Sequence, residues 1–195
     1  MKLYIIRHGE SENNLKGIHS GWANPSLTEK GFADAKRISG FLKKIPFDKV
    51  YASDLLRARQ TAENALPGVA YELTTDIREI NVGAVSGRSA ADCEKEYGPS
   101  YVENKKIGNY VPFGGENKEM LKERLWRFLD RVAQSGDELV AAFAHGFASR
   151  TFLECVLETE LPFSRIKCDN CTIVVLEYKD GKWMLSGWLN PDEIC

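Results

Sequence analysis

The sequence predicts an α/β fold, a three-layer sandwich in which a central, mostly parallel sheet is flanked by helices on both faces. Three observations carry this. Short continuous apolar runs recur along the chain, helix-patterned segments separate them, and the runs end at clusters of polar residues. Strands buried on both faces and joined by right-handed helical crossovers leave this signature.

Leu3-Tyr4-Ile5-Ile6 forms the first run and stops at Arg7-His8-Gly9-Glu10, a strand entering a loop. From Thr28, a helix N-cap, apolar residues recur at Phe32, Ala35, Ile38, Phe41, Leu42 and Ile45 until Pro46 closes the helix. Lys49 to Ala52 is the second strand. Ser53 or Asp54 is expected to cap the next helix, which runs through Leu66 to the breaker Pro67-Gly68. Tyr71 to Thr74 is a third strand, and Leu121, Leu125, Phe128 and Val132 mark one face of a helix within Glu116–Val132. Leu139 to Ala144 is a buried strand, Gly146 opens a helix, and Thr172–Tyr178 with Lys182–Trp188 reads as a terminal hairpin around Gly181. The 195 residues suit one domain spanning 1–195, with a small helical cap at about 88–118.

Hydrophobic residues at 43% and charged residues at 28% fit a folded globular chain and argue against disordered or fibrous classes. A net charge of −2 without a Lys/Arg block argues against nucleic acid and anionic membranes as partners. Residues 1–7 are too short and too soon polar for a signal peptide, so a cytoplasmic enzyme is expected. Five cysteines at 93, 155, 168, 171 and 195 do not make a disulfide framework. Cys168 and Cys171 form C-x-x-C, but no second pair stands at zinc-ligand spacing, so they read as small buried residues before a strand.

Ligands of open parallel sheets bind beyond the carboxyl ends of the strands. Here those ends carry Arg7 and His8, then Arg57 in the first turn of a helix, then Arg78 and Glu79, then His145 and Gly146. Guanidinium forks match phosphate oxygens, and a neutral imidazole is a nucleophile toward phosphorus. A carboxylic acid such as Glu79 can protonate the departing alkoxide. The set suits a phosphoryl dianion.

Arg7-His8-Gly9-Glu10-Ser11 with Asn14 resembles the RHG signature of the histidine phosphatase superfamily, the phosphoglycerate mutase-like group. Leu27-Thr28-Glu29-Lys30-Gly31 is similar to its L-T-x-x-G segment, and Ser53 through Ala62 to its S-x-L-x-R-A-x-Q-T-A helix start. Glu79-Ile80-Asn81-Val82-Gly83 with Gly87 resembles the acid-bearing loop, and Ala144-His145-Gly146 the second-histidine segment. The resemblance implies the phosphoglycerate mutase-like fold. It also implies catalytic His8 (nucleophile), Glu79 (proton donor) and His145, with Arg7, Asn14, Arg57 and the Gly146 amide as phosphate ligands. A carbonyl accepting from the second ring nitrogen of His8 is expected to fix its tautomer, whereas His145 is expected to work as a cation.

The expected function is a metal-independent phosphatase that hydrolyses a small phosphomonoester through a phosphohistidine, with no cofactor and a homodimer as a possible assembly. Two other readings stay open: a cofactor-dependent phosphoglycerate mutase, and a non-catalytic module that binds a phosphorylated ligand. The compact 88–118 stretch and Pro112–Glu116, which resembles the P-x-G-E segment of the phosphatase branch, favour hydrolysis. Tyr97, Tyr101, Tyr110 and Phe113 beside Lys105 and Lys106 would either line a pocket or pack within the cap. His19, between Gly17 and Gly21, would cover the site or stand solvated, and the second is expected. Arg78 and Arg88 receive no role, and the four tryptophans are read as packing residues.

Overall fold

A computed structural model describes residues 1–194; Cys195 lies outside the described residues. Six strands form one sheet: β1 (Lys2–Arg7), β2 (Lys49–Ser53), β3 (Glu72–Thr74), β4 (Leu139–Ala144), β5 (Ile173–Lys179) and β6 (Lys182–Leu189). Their order is β3-β2-β4-β1-β5-β6. β1, β2, β3 and β4 pair in parallel, while β5 runs antiparallel to β1 and closes the predicted hairpin with β6. The mostly parallel sheet of the sequence reading is therefore present.

Among the described residues seven helices accompany the strands: α1 (Glu12–Leu15), α2 (Glu29–Leu42), α3 (Leu56–Ala65), α4 (Ala90–Tyr97), α5 (Pro99–Ile107), α6 (Lys118–Ala133) and α7 (Gly146–Leu157). The period-two geometry of a strand sends neighbours to opposite faces. Ile5 packs with Leu121, Leu125, Phe128 and Phe152 of α6 and α7, whereas Ile6 packs with Ile38, Leu42, Ala62 and Ala65 of α2 and α3. Two cores on one sheet make three layers. Each fully buried Leu, Ile or Phe contributes roughly 1.5–3 kcal/mol, which offsets the entropy of ordering the chain around the polar site.

Helix starts follow local chemistry. Thr28 Oγ1 accepts from the Gly31 amide, Ser89 Oγ from Asp92 and Asn117 Oδ1 from Met120, so α2, α4 and α6 each have a side-chain cap. The expected Ser53 or Asp54 cap of α3 is not formed. Leu55 occupies the N-cap position, and Asn24 Oδ1, from a distant loop, accepts from the Leu56 amide at 3.0 Å. Ser53 and Asp54 have other partners, His145 and Arg78. Residues 88–118 hold α4, α5 and a 3-10 turn at Val111–Phe113, beneath which Tyr101, Tyr110 and Phe113 are buried. Among the described residues no helix is long and apolar enough to cross a membrane.

Candidate active site

The carboxyl ends of β1 and β4 lie side by side, with Arg7 in register with Ala144. This places His8 and His145, each one residue further on, with ring centroids 5.2 Å apart. The loop after β1 enters a crowded space. A Cβ on Gly9 would come within 2.5 Å of the Gly31 carbonyl oxygen, so only glycine fits without a shift. The Gly9 amide donates to Thr61 Oγ1 of α3, which ties the loop to the helix carrying Arg57.

His8 is only 3% exposed. Its Nδ1 stands 2.6 Å from the Gly9 carbonyl oxygen, which can only accept, so Nδ1 carries the proton. Nε2 then has a free lone pair and accepts from Arg57 Nε at 3.1 Å. Burial pushes the His8 pKa well below the usual imidazole range, and Arg57 and Arg7 push it the same way, against the Gly9 carbonyl. The ring is neutral at physiological pH.

Arg57 is 1% exposed, and burial lowers its guanidinium to about 10, still cationic at neutral pH. Besides the bond to His8, Nη1 donates to Ala23 O and Nη2 to Gly21 O. Three of the five guanidinium N–H groups are thus engaged within the protein, which leaves two for an anion. Arg7 Nη1 donates to the Cys168 carbonyl, and its aliphatic–guanidinium arm packs on the first residue of α7. A Cβ on Gly146 would stand 2.9 Å from Arg7 Nε, so the absent side chain makes room for the arginine.

Glu79 faces the same cavity, held by main-chain donors. Phe147 and Ala148, at the α7 N-terminus, donate to its Oε2 and Oε1 at 3.1 Å each, and the Ile80 amide donates to Oε1 at 3.0 Å. The helix-end donors seen engaged are therefore those of Phe147 and Ala148. The loop behind Glu79 is fixed by Arg124, which donates to the carbonyls of Asp76, Arg78 and Glu79. Arg124 is paired in turn with buried Glu116, whose Oε2 also accepts from the Asn81 amide. Trp22 Nε1 closes the frame on the Glu79 carbonyl at 2.8 Å.

Arg7, His8, Asn14, Arg57 and Glu79 line one cavity of about 200 Å³. Asn14 keeps its Oδ1 on the Ser11 amide and on Asn170 Nδ2. His145 is fully buried one ring deeper, its Nε2 2.8 Å from Ser53 Oγ. Burial pushes its pKa well below the imidazole range, and the neighbouring Arg57, His8 (in its protonated form), Arg124 and Arg7 lower it further. The expected cationic His145 is not what the protein alone provides; a dianion among the arginines would have to reverse that balance.

The expectation of a solvated His19 is overturned. It lines the cavity, with Nε2 against the Tyr101 hydroxyl of α5, and burial followed by Lys105 lowers its pKa. Arg78 forks onto Asp54 and lies 4.6 Å from the Trp22 ring centroid, while Arg88 pairs with Glu96; both brace neighbouring loops. Cys168 and Cys171 are buried, and burial raises both thiols, Cys171 to about 12. Their backbones contact the site: the Cys171 amide donates to Arg7 O at 3.1 Å. Among the described residues no three His, Cys, Asp or Glu side chains converge so as to hold a metal ion.

Thr61, Glu116 and Arg124 escape a reading by strand ends, and Ser53, at the end of β2, is read there only as a helix cap. Ser53 and Thr61 lie inside the helix-start motif and could have been suspected from it. Arg124 carries no signal except a charge on the apolar stripe of α6, between Leu121, Leu125 and Phe128.

Comparison with known proteins accords with this arrangement. Residues 3–191 match the family model of the histidine phosphatase superfamily, branch 1. An adenosylcobalamin/alpha-ribazole phosphatase of Salmonella typhimurium is 36% identical over 140 residues, 70% of this chain and 69% of that protein. A 2,3-bisphosphoglycerate-dependent phosphoglycerate mutase of Brucella melitensis is 31% identical over 188 residues, 91% of each chain. The crystal structure of the alpha-ribazole phosphatase from Shigella flexneri shares the fold, with a TM-score of 0.88 at 22% identity, covering 98% of this chain and 97% of that one. With a family match across nearly its whole length, the chain belongs to the histidine phosphatase superfamily and is a phosphatase of the phosphoglycerate mutase-like fold.

Proposed function

We propose that the protein is a metal-independent phosphatase that hydrolyses a small phosphomonoester through a phosphohistidine on His8. One observation carries the reading: the neutral His8 presents an unprotonated Nε2 to a cavity that it shares with two arginines and Glu79. In the first step the Nε2 lone pair attacks phosphorus, the phosphorus–ester oxygen bond breaks, and Glu79 protonates the departing oxygen. Arg57 moves its Nε–H from Nε2 to a phosphoryl oxygen, and Arg7 and Asn14 hold the others. The cationic side chains supply the charge stabilisation that a metal ion provides elsewhere.

In the second step Glu79, now a carboxylate, takes a proton from water. That water attacks the phosphohistidine and inorganic phosphate departs, which returns His8 to its starting tautomer. His145 and Ser53 are proposed to back the phosphoryl site from within, with His145 protonated once the dianion is bound. Rapid quench during turnover of an aryl phosphate is expected to trap acid-labile, alkali-stable phosphate on the wild-type protein and none on His8→Ala, with unchanged amounts after exhaustive chelation. An acid-stable adduct, or turnover restored only by a divalent ion, would replace this mechanism.

A further inference from the structure

The reaction cavity, about 200 Å³, lies below the ~300–1,000 Å³ range of small-molecule sites. It has room for a phosphoryl group but little for the alcohol attached to it. A second cavity of about 560 Å³ adjoins it, and Tyr110 and Phe147 line both. Sharing these two rings makes the larger cavity the neighbouring space toward which a leaving group would extend from His8 and Glu79.

Its walls are rings and aliphatic carbon. Tyr101 and Val102 of α5, Phe147 of α7 and Phe163 line it. Phe147 and Phe163 meet edge to face with centroids 4.9 Å apart. Two of the three cations that line it already have partners: Lys105 Nζ lies 5.4 Å from the Tyr101 ring centroid, and Arg150 donates to Gly146 O and Phe163 O. Lys106 and Glu94 add one charge of each sign at the solvent side. Aromatic surface, rather than a reserved charge, is what the cavity offers a ligand.

We propose that this second cavity is the leaving-group site and that it selects phosphomonoesters of alcohols bearing a flat, apolar or aromatic body. The proposal rests on the phosphatase reading above and adds the substrate class. Val102 and Phe163 set specificity without touching the reacting atoms.

The test compares propyl phosphate with naphthylethyl phosphate, both esters of primary alcohols, so that leaving-group basicity is nearly matched. Naphthylethyl phosphate is expected to show roughly 10- to 100-fold higher kcat/KM, the range a hydrophobic pocket can supply. Phe163→Ala and Val102→Asp should each erase most of that advantage while leaving propyl phosphate hydrolysis unchanged. Equal kcat/KM for the two esters in the wild type, or an advantage that survives both variants, would overturn the proposal. Titration with naphthylethylphosphonate and propylphosphonate reads the cavity without turnover. Tighter binding of the aromatic phosphonate, weakened by Phe163→Ala, would support the cavity even if neither ester were hydrolysed, an outcome that would defeat the phosphatase mechanism alone. Equal binding of the two phosphonates would defeat the cavity assignment.

Discussion

Two buried imidazoles stand beside two guanidinium groups, and at the scale of single residues this arrangement dictates how the protein responds to pH. His8 and His145 both bind their protons more weakly in the fold than the usual value of 6.5, burial being the main cause. In the unfolded chain they titrate near 6.5. As pH falls through that value the unfolded chain takes up protons that the native protein refuses, so stability falls, by up to about 1.4 kcal/mol per pH unit for each such histidine. The loss levels off only below the native pKa values. Urea melts from pH 8 downward should show this slope below about 6.5. His145→Gln, which keeps a polar partner for Ser53, should flatten it by the share of one group. Parallel pH dependence in wild type and variant would show that His145 titrates as it does in the unfolded chain. For the same reason the acid limb of kcat/KM set by His8 should lie below the ordinary imidazole range.

At the scale of elements, the site is a set of loops pinned by distant helices. The acid loop has its carbonyls at Asp76, Arg78 and Glu79 tied to Arg124, a side chain of α6 that is nearly buried and paired with Glu116. Removing one partner of such a pair leaves an uncompensated buried charge, which costs about 3–5 kcal/mol. Arg124→Met should therefore lower the urea midpoint by an equivalent amount and reduce kcat, because Glu79 loses the frame behind it. A variant with wild-type stability and activity would mean that Trp22 and the α7 amides suffice to hold the loop. The contrast between such braces and the strand-end residues explains what the sequence could reveal. Apolar runs, caps at Thr28 and strand ends such as His8 are local features, and they were legible. The Arg124–Glu116 frame, the Asn24 cap of α3 and the His19–Tyr101 contact join residues distant in sequence, so each depends on packing that local pattern does not encode. A Gly-bounded loop is usually exposed, which is why the sequence points to a solvated His19. The loop instead lies against the site, since its Gly21 and Ala23 carbonyls accept from Arg57.

At the scale of the whole molecule, the question is whether the phosphoryl group leaves with water or returns to an alcohol. The family holds both outcomes among its relatives, a Salmonella typhimurium phosphatase and a Brucella melitensis mutase. A mutase must keep water away from its phosphohistidine while an intermediate turns over in the site, which requires a wall closed over the cavity. Here the wall consists of two short helices, α4 and α5, and the Val111–Phe113 turn. Its inner residues Tyr101, Tyr110 and Phe113 are buried, but Val102, Lys105 and Lys106 at the rim of the larger cavity are exposed. Solvent thus reaches the cavity that adjoins His8 and Glu79. In the proposed mechanism water would compete for the phosphohistidine once the alcohol had left through that opening, with no closure step to exclude it. Incubated with phosphoglycerate and bisphosphoglycerate, the protein is expected to release inorganic phosphate at least ~10-fold faster than it interconverts the phosphoglycerate isomers, a barrier difference of about 1.4 kcal/mol. Isomer interconversion that outruns phosphate release would show that the wall closes during turnover. His8, Arg57 and Glu79 would keep their roles, and hydrolysis would become the side reaction.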